Sequence, residues 1–256
     1  MFLKIIKKFL INPIQECSKR YYRLFIFIID FFKKKNSLED GRFLCRWRDC
    51  FPCLADNTGT TGFDYHYIYH TAWAIRQINK FSPSKHIDIS SSLYFVTALS
   101  AYLPTEFYDY RPAQIKLSNL KTDKADLLAL DFESNSIESI SCMHVLEHIG
   151  LERYGDPFDP QGDLKAISEL KRVVKPEGRL FVVVPMGDIS RIQYNAHRIY
   201  SYNIFISYFD NFIINKFSFI TDSGEFIEFA SPDDISGQKY GCGCFELQKK
   251  STEMSI

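Results

Sequence analysis

The stretch Glu147–Asp163 holds the densest set of reactive side chains: Glu147, His148, Glu152, Arg153, Tyr154, Asp156, Asp159 and Asp163. Transfer of a group to a hydroxyl needs a general base within hydrogen-bond reach of the nucleophile. His148 suits that task, because an imidazole titrates near neutrality. Glu147, Arg153, Tyr154 and Asp156 stand beside it as groups able to hold a polar substrate. Gly150, Gly155, Pro157 and Pro160 would give the segment fixed turns rather than slack chain. A second group is Asn195-Ala196-His197-Arg198, whose His197 and Arg198 can meet a sugar hydroxyl or a phosphate. Asn195 reads equally as the cap of a following helix, and a Glu-His pair after a strand commonly serves only to shape the loop.

Metal chemistry has weaker support. His66 and His70 lie four apart, a helical spacing that can chelate. Tyr67 follows His66 where the zinc-protease pattern has Glu. Cys50 and Cys53 form one C-x-x-C pair, with Cys45 nearby but no second pair. Cys242-Gly243-Cys244 falls on an apolar run, and reads as core or surface thiols on one face of a strand. No metal site is expected from these residues.

The elements that must position these groups follow from hydrophobic spacing. Residues 1–35 read as a basic amphipathic helical segment in two pieces, broken at Asn12-Pro13. In the first piece Phe2, Ile5, Ile6, Phe9 and Leu10 fall at helical spacing, with lysines between them. Residues 36–83 read as a linker and helical extension: a turn-rich stretch over 36–62, with Asp56–Gly62 as its clearest loop, then a helix over Asp64–Asn79. Strands are expected at His86–Ile89, Glu106–Tyr110, Ser139–Met143 and Arg179–Val184. Helices are expected at Leu93–Tyr102, Gly162–Val174 and Ile199–Phe209, with connecting structure over Ala113–Ser118. The turn Lys175-Pro176-Glu177-Gly178 should stop the helix before the last of those strands. Two further strands, Phe212–Ile220 and Gly243–Gln248, can pair antiparallel at an edge. This alternation predicts an α/β domain over 84–250: a mostly parallel sheet, helices on both faces and an antiparallel C-terminal edge. On that layout Asp88, Asp109 and Asp126 all lie at the ligand-binding ends of the strands, where they either cap loops or contact a ligand.

Three segments, in order and spacing, resemble the class I S-adenosylmethionine-dependent methyltransferases. They are His86–Ser92, Asp126–Phe132 with Asn135–Ile140, and His144–Ile149 with Glu169–Leu180. The likeness covers about residues 84–190. More narrowly, Cys142–Asp159 and Asn195–Arg198 resemble a branch of unknown function found in bacterial polysaccharide gene clusters. The resemblance implies a Rossmann-like fold and S-adenosylmethionine as cofactor. It implies Asp109 on the ribose hydroxyls, Asp126 on the adenine amino group and Leu127 against the ring. Asp88 would orient the first loop or reach the cofactor's amino-acid end through water, with Ser90 beside it. The acceptor implied is a small molecule or glycan, a sugar or sugar phosphate. The chain departs from the family where that first loop carries glycines, for here it is Ser90-Ser91-Ser92. Each serine adds a Cβ where backbone must approach a ligand. The alternatives are therefore a non-catalytic scaffold that binds a glycan precursor or a glycosyltransferase, or a nucleotide-sugar binder of the same architecture.

The bulk composition narrows the rest. A hydrophobic fraction of 46% with 24% charged residues is ordinary for a globular chain and excludes wholesale disorder. Net charge is zero, yet residues 1–35 hold nine Lys or Arg against Glu16 and Asp30, so that segment is +7 and the remainder −7. The acidic body argues against nucleic-acid binding, and the basic end suits a polyanionic surface. Seven cysteines, an odd number mostly unpaired in spacing, read as reduced thiols in a cytoplasmic protein. The run Leu24–Phe32 is far short of the ~20 residues a spanning helix needs. A peripheral contact at the inner membrane face through residues 1–35 is the expectation. The full-length chain should then sediment with anionic vesicles and be released in part by high salt, which screens surface charge. A chain that ignores such vesicles at low salt would assign the segment to packing or to a protein partner.

Overall fold

A computed structural model of the chain describes residues 12–39 and 42–251. The chain divides into two compact units, Met1–Gly62 and Phe63–Ile256. In the first, helix α1 spans Asn12–Leu38, with Pro13 in its first turn. Proline is tolerated there because a first-turn residue has no partner for its missing N–H. The helical piece expected before it lies outside the described residues. Trp47, in a 3-10 turn (Trp47–Asp49), packs on Phe31 and Phe32 of α1, with ring centroids 5.1 and 5.8 Å away. Among the described residues no helix is long and apolar enough to cross a membrane.

The second unit contains α2 (Tyr65–Phe81), which begins where the Asp64 carboxylate accepts from the Tyr67 amide at 3.1 Å. It ends at Ser82, in the left-handed region with φ 52°. Its apolar face buries Trp73, Ala74 and Ile78 in one core with Phe95, Leu99 and Phe181. The helix expected as an extension is thus part of the packed α/β unit.

The remaining elements are β1 (His86–Ile89), α3 (Leu93–Leu99), β2 (Thr105–Asp109), β3 (Leu120–Lys124), β4 (Ile137–Met143), α4 (Gly162–Val173) and β5 (Val174–Met186). They are followed by β6 (Arg191–Gln193), β7 (His197–Ile199), α5 (Tyr202–Ser207), β8 (Phe212–Ile220), β9 (Phe226–Ile227) and β10 (Gly241–Lys249). One sheet runs β3-β2-β1-β4-β5-β10-β8-β9. Its first five strands are parallel, and β10 lies antiparallel between β5 and β8. The mostly parallel sheet with an antiparallel C-terminal edge agrees with the sequence-based expectation.

Side chains of β5 alternate between the two cores: Leu180, Val182 and Val184 on one face, Phe181 and Val183 on the other. A strand covered on both faces reads as a continuous apolar run for this reason.

Three local expectations need correction. Strand β3 was not anticipated, because Leu120-Lys121-Thr122-Asp123-Lys124 is a polar edge strand with little buried surface. The Lys175–Gly178 turn does end α4, but it is an irregularity inside β5. Ile137 pairs with Val174 and Ser139 with Arg179, and Glu177 takes φ 62° to make the excursion. The helix expected over Ile199–Phe209 shrinks to α5. The residues before it form the antiparallel hairpin β6–β7, turned at Asn195 with φ 59°, so Asn195 caps no helix.

Phe245 of β10 is fully buried and stacks on Phe217 at 4.7 Å and 23°, with Phe205 5.1 Å away. Truncating such a residue removes its transfer free energy and leaves a cavity. Phe245→Ala should therefore cost about 3–5 kcal/mol in urea unfolding, and Phe245→Leu much less. A cost under about 1 kcal/mol would show that this core is not close-packed.

Candidate functional site

Strand order reverses between β1 and β4, and ligands of open α/β sheets sit beyond the strand ends at such a point. A cavity of about 380 Å³ lies there. Ser90, Ser91, Ser92, Asp109, Asp126 and Leu127 all line it, so four positions selected from the sequence for the cofactor (Ser90, Asp109, Asp126 and Leu127), drawn from the ends of β1, β2 and β3 and the loops after them, converge with Ser91 and Ser92.

The serine loop is held from below. Asp88 is fully buried, and its Oδ1 accepts from the Ser91 amide at 3.0 Å. Its Oδ2 accepts from the Ser141 hydroxyl of β4. Ser141 Oγ also pairs with His86 Nε2 at 2.8 Å, and His86 Nδ1 with Ser139 Oγ at 2.8 Å. Burial pushes His86 down to about 3 and Asp88 up to about 7, the latter opposed in part by hydrogen bonds from Ser141 and Ser91. Above the carboxylate, Ser91 Oγ accepts from the Met143 amide at 3.0 Å and the Ser90 amide donates to Tyr108 O at 2.8 Å. Ser90 takes φ 59°, the conformation a glycine would adopt freely. Asp88 is thus a positioning residue beneath the loop and does not line the cavity. Asp109 and Asp126 do line it, each with Oδ1 on a loop amide: Arg111 N at 2.7 Å and Leu128 N at 2.9 Å.

A second cavity of about 460 Å³ shares Tyr67, His144, His148 and Tyr154 with the first. Its other walls include His66, Arg153, His197 and Tyr240. His148 Nδ1 lies 2.8 Å from Ala196 O. A carbonyl only accepts, so Nδ1 carries the proton and Nε2 keeps its lone pair. Burial lowers the His148 pKa, against the pull of nearby Glu147, and keeps the ring neutral. Arg153 donates to the same Ala196 carbonyl at 3.1 Å, and its guanidinium lies 5.1 Å from the Tyr154 ring centroid. His197 stacks on Tyr240 at 5.1 Å.

Other sequence-selected residues build the walls. Glu147 is buried, with Oε1 2.9 Å from His144 Nδ1 and Oε2 without a partner. Asp156 accepts from Gly150 N at 2.8 Å and Tyr154 N at 3.2 Å, which folds the loop after β4. Gly150 is required there: its φ is +76°, and a Cβ would collide with the Asp159 carbonyl. Arg198 is buried and donates to Ile149 O at 2.7 Å and Pro160 O at 3.1 Å. It staples that loop and lines neither cavity, and exposed Asn195 lines neither. Sequence reasoning missed Tyr67, His144 and Tyr240. His144 follows directly on β4, where its type was a usable signal, whereas Tyr67 and Tyr240 lie in segments with no motif.

Comparison with known proteins bears on this geometry. Residues 106–232 match a family described as "Caenorhabditis protein of unknown function, DUF268". An uncharacterized protein of Methanocaldococcus jannaschii is 33% identical over 86 residues; the match covers 33% of each protein, so the chain spans about a third of that relative's length. The 1,6-didemethyltoxoflavin-N1-methyltransferase of Burkholderia thailandensis, solved with S-adenosylhomocysteine, superposes with a TM-score of 0.54 over 90% of each chain at 10% identity. The N-methyltransferase NodS of Bradyrhizobium japonicum, also solved with S-adenosylhomocysteine, gives 0.51 over 78% of this chain and 92% of its own, at 14% identity. The fold is methyltransferase-like. The 4+2 cyclase SpnF shares it equally, with a TM-score of 0.54 at 12% identity over 76% of this chain and 86% of its own, so fold alone names no reaction.

The Asp88 network yields a pH test. In the fold Asp88 keeps its proton up to about pH 7, whereas an unfolded Asp ionises near 3.9. Between those values the unfolded chain binds fewer protons, so this group's contribution to stability falls as pH rises from about 4 to about 7. Asp88→Asn keeps an acceptor for the Ser91 amide and cannot ionise. It should gain stability relative to wild type between pH 5 and pH 8 in urea unfolding. An unchanged difference at the two pH values would mean that Asp88 is ionised in the fold throughout.

Proposed function

We propose that this chain is an S-adenosylmethionine-dependent methyltransferase acting on a hydroxyl of a sugar or sugar phosphate. The observation that carries the reading is a cavity at the switch point, rimmed by Asp109 and Asp126, that adjoins a second cavity containing a neutral histidine. The cofactor fits the residues present. Asp109, at the end of β2, can accept two ribose hydroxyls, Asp126 can accept from an adenine amino group, and Leu127 offers apolar surface to the ring. Ser90 preserves the turn a glycine would make, which answers the main departure from the family pattern. When bound, the cofactor supplies an electrophilic methyl group.

The chain's own residues do the rest. Tyr67 and Tyr154 line both cavities, and Arg153, His197 and Tyr240 offer polar edges and ring faces to a hydroxylated acceptor. As the acceptor oxygen gains the methyl group, its proton passes to Nε2 of His148. The sugar class rests on the likeness of Cys142–Asp159 and Asn195–Arg198 to proteins of polysaccharide gene clusters. A place at the inner face of the membrane, through residues 1–35, belongs to the same reading. A non-catalytic glycan-binding scaffold is the second reading, favoured by the three Cβ atoms that the serines add to the loop.

Calorimetry with S-adenosylhomocysteine separates them. The wild type should bind, and at a hundred times the dissociation constant the ligand should stabilise the fold by about 2.7 kcal/mol. Asp109→Ala should weaken binding about tenfold or more, since a hydrogen bond to a charged group is worth about 1.5–3 kcal/mol. His148→Ala should leave affinity unchanged and lower turnover about a hundredfold or more. Because the base must be neutral, wild-type turnover should hold through neutral pH and fall only below the lowered His148 pKa. No binding of the ligand at millimolar concentration would leave the scaffold.

A further inference from the structure

Five of the six histidines in the chain (His66, His70, His144, His148 and His197) gather around the second cavity. The methyl-transfer reading uses His148 and, as a wall, His197. It leaves unexplained the group on the opposite side, where α2, the end of β4 and the start of β10 meet. There His66, His144 and Cys242 bring one ligand atom each to within 4.8 Å of one another.

We propose that His66, His144 and Cys242 hold a divalent transition-metal ion of the zinc class at the wall of the second cavity. The donor set of two imidazoles and one thiolate is one that zinc accepts, leaving a fourth position open. Cys242 Sγ lies 3.4 Å from His144 Nε2. Bonds of about 2.3 Å to sulfur and 2.0–2.1 Å to nitrogen at a tetrahedral angle would separate the two atoms by about 3.5 Å.

His144 is oriented for the task. Its Nδ1 faces Glu147 Oε1 at 2.9 Å, which leaves Nε2 with the lone pair, aimed at Cys242. A carboxylate behind a histidine ligand is the usual outer support of a metal site. Two neighbouring rings pack on it: His66 at 5.5 Å and 8°, and Tyr67 at 5.2 Å and 22°.

A second observation is independent of those distances. Glu147 is only 1% exposed, yet its Oε2 has no partner, and neither does Nε2 of fully buried His70, whose ring lies 5.0 Å from His144. A buried carboxylate left half-satisfied is costly unless positive charge stands nearby. An ion one imidazole away supplies it. A plain thiol–imidazole hydrogen bond would account for the Cys242–His144 pair alone, but not for His66 or for the unpartnered Glu147 oxygen.

His66 and His144 line the cavity whereas Cys242 lies behind them, so the open position faces the cavity. An ion there would take an oxygen of a water or of a bound acceptor and polarise it. Only that last assignment rests on the methyl-transfer reading; the site itself does not.

Cobalt(II) added to the metal-free full-length chain is the probe. One equivalent should bind, with a thiolate-to-cobalt charge-transfer band. Cys242→Ser should remove the band, and His66→Ala and Glu147→Gln should each weaken binding about ten- to a hundredfold. The combined Cys45→Ser, Cys50→Ser and Cys53→Ser variant should keep the band. A wild type without the band, or a band that survives Cys242→Ser, would overturn the site. Should the Cys242 variant fail to fold, X-ray absorption of the zinc-loaded wild type decides. One sulfur with two imidazole nitrogens supports the site, and a shell of oxygen alone or of several sulfurs overturns it. None of these readouts needs S-adenosylhomocysteine or turnover, so failure here is distinct from failure of the function proposed above.

Discussion

Asp88 accepts from the Ser91 amide with one oxygen and from the Ser141 hydroxyl with the other, and so joins the loop after β1 to strand β4 across the switch point. The crevice depends on this tie. Ser91 returns the contact by accepting from Met143 N, which fixes the end of β4 just before His144. A carboxylate so fully buried is stable in the fold because hydrogen bonds and a proton offset its desolvation. The floor that carries Ser90, Ser91 and Ser92 is therefore set by a polar network beneath it rather than by glycine. The cost is one left-handed serine, a strain of order 1 kcal/mol held in place by its surroundings.

The loop after β4 is built on the same plan. Arg198 donates to the carbonyls of Ile149 and Pro160 and sits 3.5 Å from Asp163, while Tyr200 donates to Asp163 at 2.9 Å. Asp156 and Gly150 close the turn inside it. A side chain on a loop keeps a fixed geometry only with such support. His148 has that support from the hairpin β6–β7, whose Ala196 carbonyl fixes the tautomer of its ring. Residues 195–198 thus serve the site chiefly by holding it: Ala196 and Arg198 from behind, and His197 alone as wall.

Much of this was legible in the sequence because it is local. Apolar runs with period two or 3.6 marked β1, β4, β5, α2 and α4, and the Pro-Gly turn marked the end of α4. A carboxylate at a strand end points toward the ligand crevice of any open parallel sheet, so Asp109 could be named once the alternation was seen, whereas Asp126, behind the unread strand β3, was named through the family resemblance. Polar β3 and the short hairpin β6–β7 were not legible. Their strands bury too little, or are too brief, to leave a periodic trace.

The sequence by itself determined the apolar strands of the sheet and the loops that stand at its ligand-binding edge, since side-chain periodicity and turn chemistry act over a few residues. Only the tertiary structure decided that α2 packs into the α/β unit and brings Tyr67 and His66 to that edge. Only it placed Cys242, on a strand inserted antiparallel between β5 and β8, beside His144. The helical pair His66 and His70 illustrates the difference. Their spacing permits joint chelation, yet His70 Nδ1 turns back to the His66 carbonyl at 2.7 Å, while His66 comes together with His144 and Cys242, far along the chain. Such convergence follows from strand order and helix packing, which are settled by burial of whole faces and leave no local signature around any one of the residues they bring together.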